Sequence, residues 1–113
     1  MKNEKNLLSG STTLLVLSLL KSEDMYGYQM VEELALRSDN TFELKEGTLY
    51  PLLHTMEKEG YVTSYTQQTP NGRERKYYHL TANGQAYLAL KTEQWRLFAQ
   101  KVENVIGAAP CTV

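Results

Sequence analysis

The sequence predicts a mainly α-helical fold that carries one β-hairpin (α+β) and ends in a long helix. Three observations lead there. Apolar residues recur at helical spacing in four separate segments. Between the third and fourth segments the period drops to two, on either side of an Asn-Gly turn. The fourth segment repeats its apolar residues every seven positions.

Composition sets the limits. A chain of 113 residues suits one domain, or one domain with an appended element. At 42% hydrophobic and 22% charged it can bury a core without staples. Lys and Arg number 12 against 13 Asp and Glu, a net charge of -1. Binding to nucleic acid by bulk charge is therefore excluded, and any anion-binding surface must be local. The single cysteine, Cys111, rules out an internal disulfide. Leu14-Leu-Val-Leu-Ser-Leu-Leu20 is too short to span a bilayer, and no small-residue cleavage site follows it. The expected location is the cytoplasm, with no membrane contact.

The first helix is expected over residues 11–21. Leu14, Leu15, Val16, Leu17, Leu19 and Leu20 cover most of its circumference, so it must be buried on several sides, some of them by a second subunit. The second helix covers 26–37, with Met30, Val31, Leu34 and Ala35 inward. Ser38-Asp-Asn-Thr41 ends it, and Phe42-Glu-Leu44 has the makings of a very short strand. The third helix covers 46–59. Leu49, Leu52, Leu53 and Met56 form its apolar stripe, and Gly60 is placed for a left-handed C-terminal cap. Pro51 sits inside it, removing one backbone bond and inviting a kink.

Residues 61–67 and 75–80 are the two hairpin strands, joined through Thr69-Pro-Asn-Gly72. Thr81 caps the fourth helix, which reaches about residue 106; Gly84 stands where a capping box would place Glu. Leu88, Trp95 and Val102 repeat every seven residues, with Lys91, Phe98 and Val105 as the second set. A helix of this length extends about 37 Å, beyond the body of a small domain, so its seam calls for a second copy of the chain. Residues 107–113 read as a frayed tail.

Helix, helix, helix, hairpin, long helix is the plan of a winged helix-turn-helix. The domain then covers 7–81, and 82–106 is a dimerisation helix. In such a fold the third helix enters the DNA major groove and the hairpin, the wing, follows the phosphate backbone. Lys45, Thr48, Tyr50, His54, Thr55 and Lys58 face away from the apolar stripe. Taken alone, that surface reads as a solvated face, because Glu46, Glu57 and Glu59 offset Lys45 and Lys58. The wing is more specific. Arg73, Arg75 and Lys76 stand against Glu74, a surplus of +2 suited to phosphates. The plainer alternative is an edge hairpin kept from aggregating by its charge. Tyr26, beside Gly27 and Tyr28 at the start of the second helix, is a further phosphate donor.

Four stretches resemble the PadR family of bacterial winged-helix transcriptional regulators. They are Leu8-Ser-Gly-Ser-Thr-Thr-Leu-Leu-Val-Leu17, Met25-Tyr-Gly-Tyr-Gln-Met30, Lys45-Glu-Gly-Thr-Leu-Tyr-Pro-Leu-Leu-His54 with Glu57-Lys-Glu-Gly60, and Asn71-Gly-Arg-Glu-Arg-Lys-Tyr-Tyr-His-Leu-Thr81. The likeness spans about residues 7–106. It implies a homodimeric repressor acting on an inverted-repeat operator in double-stranded DNA, dimerised through the last helix together with the first. Leu14, Leu17, Leu88, Trp95, Phe98, Val102 and Val105 are the expected interface. Pro51 matches the family's own in-helix proline. Lys45 departs from the usual Ser or Asn cap, and Glu74 from a more basic wing. Some small members of the family bind flat hydrophobic compounds between paired tryptophans. Trp95 matches that position, and Leu14, Ser18 and Phe98 would line the cavity for a planar effector. The alternative for Trp95 is plain dimer core.

His54 and His79 lack metal-ligand spacing, so neither a metal nor another cofactor is expected. Cys111 has no evident base and reads as incidental. No nucleophile–base constellation and no Gly-rich phosphate loop is legible, so no enzyme is expected. The rival to a DNA-binding regulator is a dimeric winged-helix module that binds a small hydrophobic ligand or a protein without DNA. The net charge and the acidic third helix favour that rival; the wing cations oppose it.

Overall fold

A computed structural model describes residues 2–107, with side chains from residue 11 onward. Cys111 and most of the expected tail lie outside the described residues. The elements in chain order are α1 (Lys2–Ser22), β1 (Met25–Tyr26), α2 (Gly27–Arg37), α3 (Glu46–Lys58), β2 (Val62–Gln68), β3 (Glu74–Leu80) and α4 (Ala82–Ile106). The strands form one antiparallel sheet in the order β1-β3-β2. This is a winged helix with a long C-terminal helix, as the sequence predicts.

Three elements differ from expectation. α1 begins at Lys2, nine residues before the expected start at residue 11. Met25 and Tyr26 form a third strand, paired with Tyr78 and Tyr77. Two residues carry no periodicity, so nothing in the sequence marks them. Residues 42–44 form no strand: Phe42 N donates to Ser38 Oγ, and Leu44 drops into the core instead.

The core is continuous. Val16, Leu17, Leu19 and Leu20 of α1 meet Met30 and Leu34 of α2, Leu49, Leu53 and Met56 of α3, Val62, Tyr78 and Leu80 of the sheet, and Leu88 of α4. The stripe expected on α3 is thus the buried one, with Leu52 partly covered beside it. α3 runs unbroken through Pro51. Its missing N–H leaves the carbonyl of exposed Gly47 open to water, which keeps the cost low.

Turn chemistry fixes the connections. Gly60 has φ +85°, with Gly60 N donating to Glu57 O and Tyr61 N to Met56 O, a Schellman cap on α3. α2 ends in the same pattern without glycine: Asp39 and Asn40 both take positive φ. At the wing tip only Gly72 takes positive φ, and Thr69 N donates to Arg73 O. The hairpin therefore closes with a three-residue loop, Pro70 leading, within the expected Thr69–Gly72 turn.

α4 is fastened at its root. Thr81 Oγ1 accepts from Gly84 N (2.9 Å) and donates to Gly60 O (2.7 Å). Tyr87 stacks on Tyr61, centroids 4.2 Å apart, with Lys91 over the outer ring. Beyond Thr92 nearly all of α4 is exposed, and the molecule measures 61 × 31 × 22 Å.

Candidate nucleic-acid interface

The apolar stripe of α3 turns its opposite face outward. Lys45, Thr48, Tyr50, His54 and Lys58 are all exposed there. Lys45 takes the cap position in extended conformation, and its side chain makes no cap bond. The wing carries Arg73, Arg75 and Lys76, also exposed.

These two surfaces meet at a groove of about 460 Å³. The start of α2 supplies Tyr26, Gly27 and Tyr28; α3 supplies Tyr50, His54 and Glu57; β3 supplies Arg75, Lys76 and Tyr78. Of the expected anion-binding residues, Tyr26, Tyr50, His54, Arg75 and Lys76 are brought together. Lys45, Thr48, Lys58 and Arg73 lie outside the groove, on the same helix and at the wing tip. Tyr28 is exposed and also lines the groove.

Close packing shapes this wall. A Cβ on Gly27 would fall 2.7 Å from Tyr50 Cζ, so glycine lets the Tyr50 ring lie across the first turn of α2. Partial burial, then the carboxylate of Glu46 and the phenol of Tyr78, raise the Tyr50 pKa. Its phenol therefore stays protonated and available as a donor. Glu57, also in the wall, accepts from Ser64 Oγ at 2.8 Å. α2 has no acidic residue in its first turn and no side-chain cap, so its N-terminal N–H groups face a groove flanked by cations.

The sheet's outer face holds a network that the sequence reading missed. Tyr65 Oη donates to Asp24 Oδ2 (2.7 Å), and His79 Nδ1 donates to Asp24 Oδ1 (2.9 Å). Burial alone would raise the Asp24 pKa, but the two hydrogen bonds and the His79 charge outweigh it and hold the carboxyl below its ordinary value. Tyr65 stacks on Tyr77 (centroids 5.7 Å), Tyr77 meets the edge of Tyr26 (5.4 Å), and the Arg75 guanidinium lies 4.4 Å above Tyr26. The hydrogen bond to Asp24 in turn raises the Tyr65 pKa. The alternation of β3 was signal enough to put Tyr77 and His79 on one face; Tyr65 joins them through the register that pairs it with Tyr77.

The far half of α4 exposes a second kind of surface. Trp95 is 47%, Phe98 60% and Val105 85% exposed, with Val102 beside them. Trp95 and Phe98 are neighbours, ring centroids 6.0 Å apart. On α1, Leu14 is partly buried, and Ser18 is exposed and donates to the Leu14 carbonyl. Two expected interface residues are corrected. Leu17 is 0% and Leu88 4% exposed, because α1, α4 and the sheet seal them inside the protomer's own core.

Among the described residues, no group of His, Cys, Asp and Glu is placed to hold a metal ion, and no helix is long and apolar enough to cross a membrane.

Comparison with known proteins agrees with this architecture. The Transcriptional regulator PadR-like family matches residues 16–90. A transcriptional regulator of Mycobacterium tuberculosis is 33% identical over 84 residues, 74% of this chain and 72% of that protein. A PadR-like transcriptional regulator from Bacillus cereus superposes with TM-score 0.79 at 31% identity, covering 89% of this chain and 96% of that one. A PadR family transcription regulator from Clostridium difficile is 38% identical, with TM-score 0.70, over 85% of this chain and 97% of that one. The chain belongs to the PadR-like family of transcriptional regulators.

Proposed function

We propose that the protein is a homodimeric, sequence-specific DNA-binding repressor that an effector releases. One observation carries the reading: two of the three wing cations, Arg75 and Lys76, converge with Tyr50 and His54 of α3 on a single groove at the start of α2. In this reading α3 enters the major groove, where Thr48, Tyr50 and His54 reach base edges or phosphates and Lys45 and Lys58 add charge. Arg73, Arg75 and Lys76 clamp phosphates along the wing, and Tyr26 donates to another. Residues 7–81 form the DNA-binding domain and 82–106 the dimerisation helix. Trp95, Phe98, Val102 and Val105, with Leu14, form the seam between copies. Exposed apolar surface of that kind supports pairing, since isolated domains rarely leave it uncovered. Two-fold symmetry then sets an inverted-repeat operator.

The effector is a planar hydrophobic compound held at Trp95 and Phe98, near Leu14 and Ser18. It acts by changing the angle between the two heads through α4. Because such coupling is reciprocal, effector and operator must weaken each other's binding. Independent binding of the two would remove the release mechanism. A lack of saturable Trp95 quenching across varied planar aromatics would remove the effector site itself.

The test of function is fluorescence anisotropy on the DNA upstream of the protein's own gene, with a scrambled duplex as control. If that DNA shows no selectivity, selection from random duplexes follows. A repressor yields a site with inverted-repeat symmetry. Failure of both overturns the reading in favour of the second one, a dimeric module for a small ligand or protein partner. The net charge of -1, the carboxylates Glu46 and Glu57 on α3, and Glu59 at its C-terminal cap favour that second reading.

A further inference from the structure

The wing cations sit on long side chains, yet one of them is held in place. Arg75 lies 4.4 Å above the Tyr26 ring. Tyr26 is braced by Tyr77, and Tyr77 by Tyr65, whose hydroxyl is tied to Asp24. Asp24 is tied in turn to His79. The register places Tyr26, Tyr77 and Tyr65 directly opposite one another across β1, β3 and β2. The network thus crosses the whole sheet and returns to the groove through Arg75. β1 has only two residues, too short to fix the wing through its backbone bonds alone. Side chains add what the backbone lacks.

We propose that Asp24, Tyr65 and His79 are positioning residues. They clasp the three strands and hold the Arg75 guanidinium at the groove, aimed at a DNA phosphate. This rests on the DNA-binding reading above. A restrained guanidinium has less rotamer freedom to lose when it engages a phosphate, so the clasp contributes affinity without touching DNA. Arg73, at the open tip, lies over no ring among the described residues and stands as the internal control.

The variant Asp24→Asn with Tyr65→Phe removes the charge and the phenol hydroxyl while keeping both shapes. Thermal unfolding first checks that it folds. Relaxation of the arginine Nε–Hε groups by NMR, without DNA, then reads the clasp directly. The expected result is an Arg75 more ordered than Arg73 in the intact protein, and equal to it in the variant. An Arg75 whose order the variant leaves unchanged overturns the proposal.

The second readout is DNA affinity. The variant is expected to raise Kd about fivefold in the intact background, and to add nothing once Arg75 is alanine. An equal loss in both backgrounds would mean that the cluster acts other than through Arg75, and would also overturn it. If the variant frees Arg75 but the intact protein binds no DNA, the clasp is supported and the DNA reading fails.

Discussion

Replacing Gly84 with alanine puts a Cβ against the carbonyl oxygen of Tyr61 and 2.6 Å from Leu80 Cδ1. The obstacle is backbone, and it is pinned: Thr81 N donates to that same Tyr61 oxygen at 3.1 Å. Alanine in a helix gains up to about 1 kcal/mol over glycine. Overpacking of a site that cannot yield costs about 1–3 kcal/mol. The expected balance is a loss of about 1–2 kcal/mol, seen as a fall in Tm of about 5–10 °C at fixed protein concentration. Alanine at Gly27 meets a different obstacle. Its Cβ collides with the outer end of the Tyr50 ring, which is 43% exposed and free to swing outward. Stability then changes by less than about 1 kcal/mol, because the gain in helix propensity offsets the displaced ring. The groove loses its wall, and DNA affinity falls several-fold. Thermal unfolding and DNA titration of the two variants separate these outcomes. A Gly84→Ala protein that melts at or above the wild type, or a Gly27→Ala protein that loses more stability than Gly84→Ala, would refute the reasoning.

Thr81→Ala removes a hydroxyl that both caps α4 and bonds Gly60, so it should cost about 1–2 kcal/mol in urea unfolding. The Asp24 pKa is lowered on folding. Its contribution to stability is therefore present above the ordinary carboxyl value of 3.8 and lost as pH falls below it. The gap in urea midpoint between wild type and Asp24→Asn should accordingly be wide at pH 6 and close towards pH 3. Phe98→Glu with Val105→Glu puts charge on the exposed α4 seam far from the core. Sedimentation should find folded monomers, with a far-ultraviolet spectrum close to that of the wild type.

Most of the fold was legible because its signals are local. The α3 stripe, the Gly60 cap, the Thr81 cap and the change of period at Tyr61 each lie within a few residues of what they specify. The wing turn over Thr69-Pro-Asn-Gly72 was legible in the same way, and Gly72 N donates to Thr69 O there; the loop length shows only in the Thr69 N to Arg73 O bond and the positive φ of Gly72. Leu88 sits on a heptad that reads as a seam between copies, and Leu17 on a helix apolar nearly all round. Whether a repeat faces its own core or a partner depends on how far the body of the domain reaches along α4, which no local pattern contains. The clasp was invisible for a similar reason: Asp24 lies 41 residues from Tyr65 and 55 from His79. The α3 surface and wing cations were found from the sequence; the meeting of Tyr50, His54, Arg75 and Lys76 at one groove with Tyr26 and Tyr28 was not, because it depends on how α2 docks beside β3.

The central claim is that the wing cations grip DNA phosphates. The most direct test is the salt dependence of DNA binding, for the intact protein and for the variant with Arg73, Arg75 and Lys76 changed to alanine. Each phosphate contact contributes about 0.9 to the slope of log K against log salt. A dimer losing three cations from each wing should therefore shed about 5 units of slope, on specific and scrambled duplexes alike. An unchanged slope and affinity would contradict the claim and leave the ligand- or protein-binding module as the function of this fold.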